Sequence, residues 1–237
     1  MLFTFEERPS DSPLVERVWR AHSDRAGSFL SVAMSHWEMV VTRQHGRTML
    51  TVRGPETKAT PLDCSADGEW LGIRFALGTV MPRLPASSLV DAAVDLPDAG
   101  GRSFWLHDSA WQFPAFENAD AFVDRLVRDG LLAREPIVQD ALHDRPNDRS
   151  VRTAQRHFLR TVGLTHGAVR RIERARYATT LLQEGLPILD VVYEAGYFDQ
   201  PHLTRSLKHF IGQTPAQILD RRSPQQLSLL YKTAPLR

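Results

Sequence analysis

The spacing of apolar residues in the C-terminal third of the chain predicts two short helices joined by a sharp turn. Pro187 presets a helix start, and the apolar positions after it recur at helical spacing: Ile188, Val191, Val192 and Ala195. Gly196 then provides a flexible stop where one helix turns into the next. Asp199 is a suitable N-cap for the second helix, and Pro201 falls in its first turn, where a missing N–H is harmless.

The second helix of this pair carries different chemistry on its two faces. Its apolar stripe, which we expect to be buried, consists of Leu203, Leu207, Phe210 and Ile211. Its outer face carries Gln200, His202, Thr204, Arg205, Lys208 and His209. Such side chains contact base edges and phosphates when a helix lies in a major groove. The order of proline, helix, glycine turn and helix therefore predicts a DNA-binding helix-turn-helix.

A similar helix is predicted upstream of this pair. Ser150 is a suitable N-cap, Gly163 ends the helix, and the apolar stripe between them consists of Val151, Ala154, Phe158 and Val162. The opposite edge presents Arg152, Gln155 and Arg156. A guanidinium suits guanine or phosphate and an amide suits adenine, so this edge is a second candidate for reading bases.

A longer helix is predicted between the two motifs. Thr165 can cap a helix from about residue 166 to 184, stopped by Gly185. Val169, Ile172 and Leu182 would face the core, while Arg170, Arg171 and Arg174 would point outward. At 1.5 Å per residue the helix spans about 28 Å. Because one turn of DNA repeats at roughly 34 Å, a spacer of this length allows one chain to read two successive major grooves.

Residues 150–219 resemble the DNA-binding domain of the AraC/XylS family of bacterial transcription regulators. The family's second motif runs from Gly-aromatic-x-Asp to Gly-x-Thr-Pro, and the positions that fit it are Gly196, Tyr197, Asp199, Leu203, Arg205, Leu207, Lys208, Gly212, Thr214 and Pro215. The first motif is matched by Ala154, Gln155, Arg156 and Phe158, followed by Gly163. The chain departs from the family pattern at one place. The family has two helices before its first reading helix, whereas here only residues 135–149 lie between the N-terminal half and Ser150. Either a short helix around Ile137 substitutes for the missing support, or the first reading helix is less rigid.

The resemblance implies which residues contact double-stranded DNA at a promoter or operator. On the first helix these are Arg152, Gln155 and Arg156; on the second they are Gln200, Pro201, His202, Thr204 and Arg205, with Lys208 beside them. It also implies a homodimer, a contact with RNA polymerase if the protein is an activator, and a small-molecule effector bound by a β-barrel-like domain.

The N-terminal half is predicted to be rich in β-strands. Short runs that match strands lie at residues 30–34, 38–42, 48–52 and 70–75, separated by Gly, Pro and polar turns. Asn118 can cap a helix to about Leu132, with an apolar side formed by Phe122, Val123, Leu126, Val127 and Leu131. We therefore expect an α+β protein with a barrel-like domain and exit helices at 1–134, an all-α domain with two helix-turn-helix motifs at 135–222, and a tail at 223–237.

Charge supports this division into unlike halves. The chain has a net charge of +1, but its two halves differ in sign. Residues 1–134 contain 14 Lys and Arg against 18 Asp and Glu, whereas residues 135–237 contain 15 Lys and Arg against 10 Asp and Glu. The basic half is the side expected to bind DNA. The chain contains no apolar run long enough for a membrane span, and its N-terminal residues lack the pattern of a secretory signal. With Cys64 as the single cysteine, we expect no disulfide and a cytoplasmic protein.

Candidate ligand-binding residues in the N-terminal half are few. His36, Trp37, Trp70 and Arg74 lie on or beside the predicted strands and would combine aromatic walls with polar groups. Glu38 and His45 extend this set toward a cupin-like metal site, but the usual His-x-His pair is absent, so we expect no metal, no cofactor and no catalytic residue. A lone Cys64 also argues against a cysteine-dependent DNA-repair enzyme. The alternative to a regulator is a cupin-like metal-dependent enzyme or sensor fused to a DNA-binding domain.

Overall fold

The structure is a computed structural model, and it describes residues 2–136, 138, 151–220 and 226–228. Its strands are β1 (Phe3–Arg8), β2 (Val15–Ser23), β3 (Gly27–Ser31), β4 (Glu38–Gln44), β5 (Arg47–Arg53), β6 (Thr60–Cys64), β7 (Gly68–Phe75), β8 (Thr79–Val80), β9 (Ala93–Asp95), β10 (Ser103–Leu106), β11 (Ser109–Gln112), β12 (Ala133–Arg134) and β13 (Gln226–Leu227). Its helices are α1 (Ala119–Arg128), α2 (Val151–Val162), α3 (His166–Gln183), α4 (Ile188–Glu194), α5 (Gln200–Phe210) and α6 (Pro215–Leu219). No helix in this part of the chain is both long and apolar enough to cross a bilayer.

The chain divides into two compact units, and each combines segments that are distant in sequence. The first comprises Met1–Gly27, His36–Pro55 and Cys64–Leu164; the second comprises Ser28–Ser35, Glu56–Asp63 and Thr165–Arg237. Helix α2 therefore groups with the first unit, and two short segments of the N-terminal half group with the second. The predicted domain limits divide the chain at other places, and they stay a prediction.

A six-stranded antiparallel sheet, in the order β1-β2-β7-β4-β5-β9, forms the centre of the first unit. Strands β4 and β5 form a hairpin whose turn residues, His45 and Gly46, have φ values of 51° and 72°. A two-residue turn with positive φ at both residues has a backbone twist that matches the right-handed twist of the paired strands. Among the described strands, β1 and β9 are the two edges and do not pair with each other. The predicted α+β class is confirmed, with an open sheet in place of a closed barrel.

Three of the four predicted strands lie within β4, β5 and β7, while the run at 30–34 overlaps only the end of β3. Alternate residues of the sheet point to one apolar face, as a half-buried antiparallel sheet requires. The core on that face contains Val18, Met39, Val41, Leu50, Val52, Leu71, Ile73 and Phe75. Helix α1 and the β10–β11 hairpin contribute Phe104, Leu106, Trp111, Phe122, Val123 and Leu126 to the same core.

Helix α1 begins where the sequence predicts but ends earlier. It follows Asn118 and stops at Arg128, because Gly130 takes a φ of +70° that ends the helical path. Asn118 does not cap it through its side chain; its Oδ1 accepts from the backbone N of Ala115 at 2.8 Å. Val127, predicted on the apolar side, is 40% exposed. That placement was wrong because Val127 lies at the edge of a narrower buried stripe formed by Phe122, Val123 and Leu126.

In the second unit, segments of the N-terminal half hold the C-terminal end of α5. The backbone N of Ala33 donates to the carbonyl of Phe210 at 2.7 Å, and the N of Ala59 donates to the carbonyl of His209 at 3.0 Å. The last carbonyls of a helix have no partner within it, so these donors satisfy groups that would otherwise need water. Gly212, with a φ of +85°, lies so close that an added Cβ would be 2.9 Å from Leu30 Cδ1.

A buried polar cluster, which the sequence did not indicate, joins the same segment to α3. Glu173 and Arg176 are 4% and 2% exposed, and Arg176 Nε lies 3.9 Å from Glu173 Oε2. Ser35 Oγ donates to Glu173 Oε1 at 2.5 Å, and Arg176 Nη1 donates to the carbonyl of Ala33 at 3.2 Å. Buried charges are tolerated only when paired and hydrogen-bonded, so this cluster fixes the segment on the helix.

We expect Arg176→Met to destabilise the protein by about 3–5 kcal/mol, because it leaves the Glu173 carboxylate buried without its cation. Urea unfolding followed by circular dichroism measures the loss. Arg170→Met is the matched control, since Arg170 is exposed on the same helix. Equal unfolding midpoints for the two variants would show that the cluster does not stabilise the fold.

Candidate nucleic-acid interface

Helices α4 and α5 form the predicted second helix-turn-helix. Helix α4 follows Pro187, and Val191 and Ala195 on its inner side are buried. Gly196 takes a φ of +66°, a conformation that glycine adopts without strain. The predicted helix start, apolar side and glycine turn are all confirmed.

The start of α5 is fixed by a side-chain cap. Asp199 Oδ1 accepts from the backbone N of His202 at 2.6 Å, and Pro201 lies in the first turn. Leu203 and Leu207 are fully buried on the inner face. A capped and packed helix holds its outer side chains at fixed positions, as direct contact with bases requires.

The outer face of α5 presents the predicted DNA-contacting residues to the surface. Gln200, Pro201, Arg205, Lys208 and His209 are exposed, while His202 and Thr204 are half-buried. The His202 ring packs edge-on against Tyr197, with ring centroids 5.1 Å apart. This packing orients an imidazole at the N-terminal end of the helix, beside the position of Arg205 one turn later.

Tyr197 forms the centre of the turn between α4 and α5. Its hydroxyl lies 2.9 Å from Ser206 Oγ, and its ring is covered by the Arg174 guanidinium at 4.7 Å. Arg174 Nη1 also donates to the carbonyl of Gly196 at 3.3 Å. Burial raises the pKa of Tyr197, and the hydrogen bond with Ser206 and the charge of Arg174 offset only part of that rise.

Arg174 therefore has a structural role that the sequence did not predict. It was expected to point outward with Arg170 and Arg171; those two are exposed, but Arg174 is half-buried against the turn. The expectation was wrong because a long arginine can cross the surface of a helix and stack on an aromatic ring. The available signal was the aromatic residue of the family motif, at Tyr197.

Helix α2 presents the predicted first reading edge. Arg152, Gln155 and Arg156 are exposed on it, while Phe158 and Val162 are buried on its other side. The predicted N-cap at Ser150 and the short helix around Ile137 lie outside the described residues.

The C-terminal end of α2 is closely packed within the first unit. Gly163 ends the helix with a φ of +84°, and an added Cβ there would lie 2.8 Å from Val90 Cγ2 and 3.0 Å from Ser87 Cα. On the same helix, His157 Nε2 lies 3.1 Å from Glu135 Oε2. These contacts fix α2 on residues that precede the DNA-binding domain predicted from the sequence.

Helix α3 separates the two motifs, as predicted. Thr165 caps it through its side chain, which accepts from the backbone N of Ala168 at 3.1 Å. The helix has 18 residues, and Val169, Ile172 and Leu182 are buried in it. Its length is about 27 Å at the standard rise per residue.

The residues predicted for ligand binding differ in their surroundings. Trp37 is buried in the core, stacked on Phe75 with centroids 4.0 Å apart, and its Nε1 donates to the carbonyl of Thr79 at 2.8 Å. Arg74 precedes Phe75 on β7, so its side chain lies on the opposite face of the sheet, 3.6 Å from buried Glu38. Trp37 and Arg74 therefore have separate surroundings in the described structure.

The other two predicted residues lie elsewhere. Trp70 shares a sheet face with Arg74, packs edge-on against Phe3 and lines a surface cavity of about 290 Å³. His36 is half-buried, with Nε2 3.5 Å from Glu16 Oε2. The role of these four residues in ligand binding stays a prediction.

The residues considered for a metal site, His36, Glu38 and His45, also lie in different surroundings. Glu38 accepts from Trp19 Nε1 at 3.2 Å and lies beside Arg74, whereas His45 is in the β4–β5 turn. Across the described residues, no group of three or more His, Cys, Asp and Glu is placed to hold a metal ion. Cys64 is a buried free thiol 3.5 Å from the carbonyl of Gly27, as expected of a small core residue.

Comparison with known proteins supports the reading of helices α2 to α6. Residues 148–221 match a protein-family model described as a helix-turn-helix domain. No curated protein sequence matches the chain. Among solved structures, ToxT from Vibrio cholerae is similar at 8% sequence identity, with 91% of this chain and 98% of that chain covered and a TM-score of 0.39. A TM-score that low does not establish a common fold for the whole chain.

The family match, the capped and glycine-terminated helices, and the residue spacing of the second motif all indicate a helix-turn-helix domain. Helices α2 and α5 each bury an apolar stripe and expose side chains of the types that can contact bases and phosphates. Residues 148–221 therefore match the family of helix-turn-helix domains, in agreement with their resemblance to the DNA-binding domain of AraC/XylS regulators.

Proposed function

We propose that this regulator reads two successive major grooves, one with α5 and the other with α2. The observation that carries the proposal is that both helices expose a row of side chains able to read bases opposite a buried stripe, and that the 18-residue helix α3 separates them in the sequence. A helix-turn-helix reads bases with the N-terminal part of its recognition helix. On α5 that part contains His202 and Arg205; on α2 it contains Arg152, Gln155 and Arg156.

Each of these side chains has a preferred partner on DNA. Arg205, Arg152 and Arg156 can donate two hydrogen bonds to guanine O6 and N7, and Gln155 can bind adenine N6 and N7. Thr204 offers a methyl group to thymine, and Gln200 offers an amide at the start of α5. Pro201 has no N–H to donate, so its contribution is shape and the position of the helix.

Lys208 is proposed to contact a phosphate. It is exposed on the last turn of α5, where its ammonium group acts as a point charge, unlike the planar fork of an arginine. The basic excess of residues 135–237, with 15 Lys and Arg against 10 Asp and Glu, adds an attraction that is independent of base sequence.

The N-terminal half is proposed to bring two chains together and to respond to a small-molecule effector in the cytoplasm. A homodimer would place two copies of the reading helices on one promoter, and an activator would also contact RNA polymerase. We propose no enzymatic role. The metal-dependent alternative is not favoured, because its ligands His36, Glu38 and His45 have separate surroundings in the described structure.

Arg205→Ala should weaken binding to the preferred site by about 1–3 kcal/mol and relax the preference at one base pair, because a bidentate guanine contact is lost. Lys208→Ala should weaken binding to all sequences alike and reduce the salt slope by about 1. Fluorescence anisotropy on preferred and scrambled DNA across a salt series separates the two effects. Arg128→Ala, an exposed arginine on α1, is the control. Equal losses on both DNAs for Arg205→Ala would rule out its role as a base reader.

Selection of bound fragments from genomic DNA should enrich an asymmetric site with two boxes about one helical turn apart. The double variant Gln155→Ala, Arg156→Ala should lose the preference for one box and keep the other. Enrichment of a single box by the wild-type protein would show that α2 does not read bases.

Stability should decrease more steeply at high pH in the wild-type protein than in Tyr197→Phe. Burial raises the pKa of Tyr197 in the folded state, so the stabilisation by its neutral phenol is complete below the unfolded value of about 10 and declines as the pH rises through the folded value. Thermal unfolding between pH 8 and about 11 measures the difference. Tyr193→Phe is the control, because Tyr193 is 84% exposed on the adjacent helix. Identical pH profiles for wild type and Tyr197→Phe would contradict the assignment.

A further inference from the structure

Phe198 is a large apolar side chain that is almost fully open to solvent. It is 90% exposed, the highest value among the exposed large apolar residues in the part of the chain that the structure describes. A single exposed apolar residue is ordinary on a protein surface, so its position decides its meaning. Phe198 directly precedes Asp199, the N-cap of α5, and its backbone N lies 3.5 Å from His202 Nδ1. It therefore lies at the N-terminal end of α5, the end with which a helix-turn-helix reads bases.

The backbone is held on both sides of Phe198. Tyr197 before it is buried, and its hydroxyl lies 2.9 Å from Ser206 Oγ. Asp199 after it accepts from the backbone N of His202 at 2.6 Å. Because both neighbours are fixed, the Cα–Cβ bond of Phe198 keeps one direction, and its ring lies in solvent. A side chain whose backbone is already ordered loses less conformational entropy when a partner covers it.

The fold does not require an aromatic residue at position 198. The second motif begins Gly-aromatic-x-Asp; Tyr197 fills its aromatic position, and Phe198 fills the unspecified one. An exposed ring removes little apolar surface from water, so it contributes little to the stability of the free protein. The phenyl ring of Phe198 can gain buried area only when a partner covers it.

The charges near Phe198 favour DNA as that partner. Helix α5 contains Arg205 and Lys208 and no Asp or Glu, and the neighbouring Asp199 carboxylate is engaged in the helix cap. Helix α4 also exposes large apolar side chains, but they lie among carboxylates: Leu189 and Tyr193 beside Asp190 and Glu194. A polyanion is attracted to the basic surface of α5 and repelled by the carboxylates of α4.

We propose that Phe198 packs on the methyl group of one thymine in the box that α5 reads. On the major-groove edge of the base pairs, the C5-methyl of thymine is the group that makes apolar contacts with protein side chains such as Phe. Covering it gives a preference for thymine at that position, in addition to the hydrogen bonds of Arg205. The inference rests on the proposed binding of α5 in a major groove, to which it adds a specificity-determining residue and the base that it selects.

The test uses the full chain and the preferred site from the selection experiment, in the box that Arg205→Ala affects. Each thymine of this box is replaced in turn by deoxyuridine, which keeps the base pair and removes only the methyl group. We expect one replacement to weaken wild-type binding about 4-fold, the effect of leaving one CH₂-sized group unburied. Phe198→Ala should bind the unmodified site about 10-fold more weakly, and the same replacement should then have no effect. Fluorescence anisotropy measures all four affinities.

Three controls separate this contact from other effects. Leu189→Ala should bind like the wild type and keep the difference between thymine and deoxyuridine, because Leu189 is 71% exposed on α4. Thr204→Ser removes a methyl group and keeps the hydroxyl, so it identifies a thymine that Thr204 contacts. The melting temperature of Phe198→Ala should equal that of the wild type, because the deleted ring is exposed.

The proposal is overturned if every deoxyuridine replacement acts alike on the wild type and on Phe198→Ala. It is also overturned if Phe198→Ala loses the same affinity for preferred and scrambled DNA, as a contact with the sugar–phosphate backbone would predict. Unchanged DNA binding by Phe198→Ala would overturn it in favour of a protein partner. A wild-type chain that prefers no sequence overturns the two-groove proposal as well, whereas a preferred site without coupling between Phe198 and a thymine overturns this inference alone.

Discussion

The C-terminal end of α5 must find hydrogen-bond donors for carbonyls that the helix itself cannot satisfy. In this protein the donors are the backbone N–H groups of Ala33 and Ala59, from the N-terminal half of the chain. The buried pair of Glu173 and Arg176 then ties the same segment to α3. These contacts fix the axis of α5, so the positions of its exposed side chains depend on residues far outside the helix-turn-helix.

Much of the interface could be predicted because its signals are local. The cap at Asp199, the proline at residue 201, the glycine turn at residue 196 and the stripe of Leu203 and Leu207 each follow from neighbouring residues. Local rules of capping and periodicity act within a few residues of each other, so one sequence is enough to apply them.

The parts that could not be predicted depend on contacts between distant residues. No periodic pattern indicates that Glu173 would meet Ser35, or that Arg174 would lie across the ring of Tyr197. The surroundings of the candidate ligand-binding residues are a related case. Trp37 stacks on Phe75 in the core and Arg74 lies on the opposite face of β7, and neither placement follows from periodicity alone. Predicting which residues share a strand is easier than predicting which strands share a cavity.

The discontinuous second unit also has a consequence for how the protein is made. Ala33 leaves the ribosome long before Arg176, whose guanidinium binds its carbonyl across 143 residues of sequence. At typical synthesis rates that interval lasts roughly 7 to 30 seconds. During it, the segment that later supports α5 lacks its contacts with α3 and α5, and contacts of such long sequence separation form slowly. The contacts that fix the axis of α5 can therefore form only after synthesis has passed that helix.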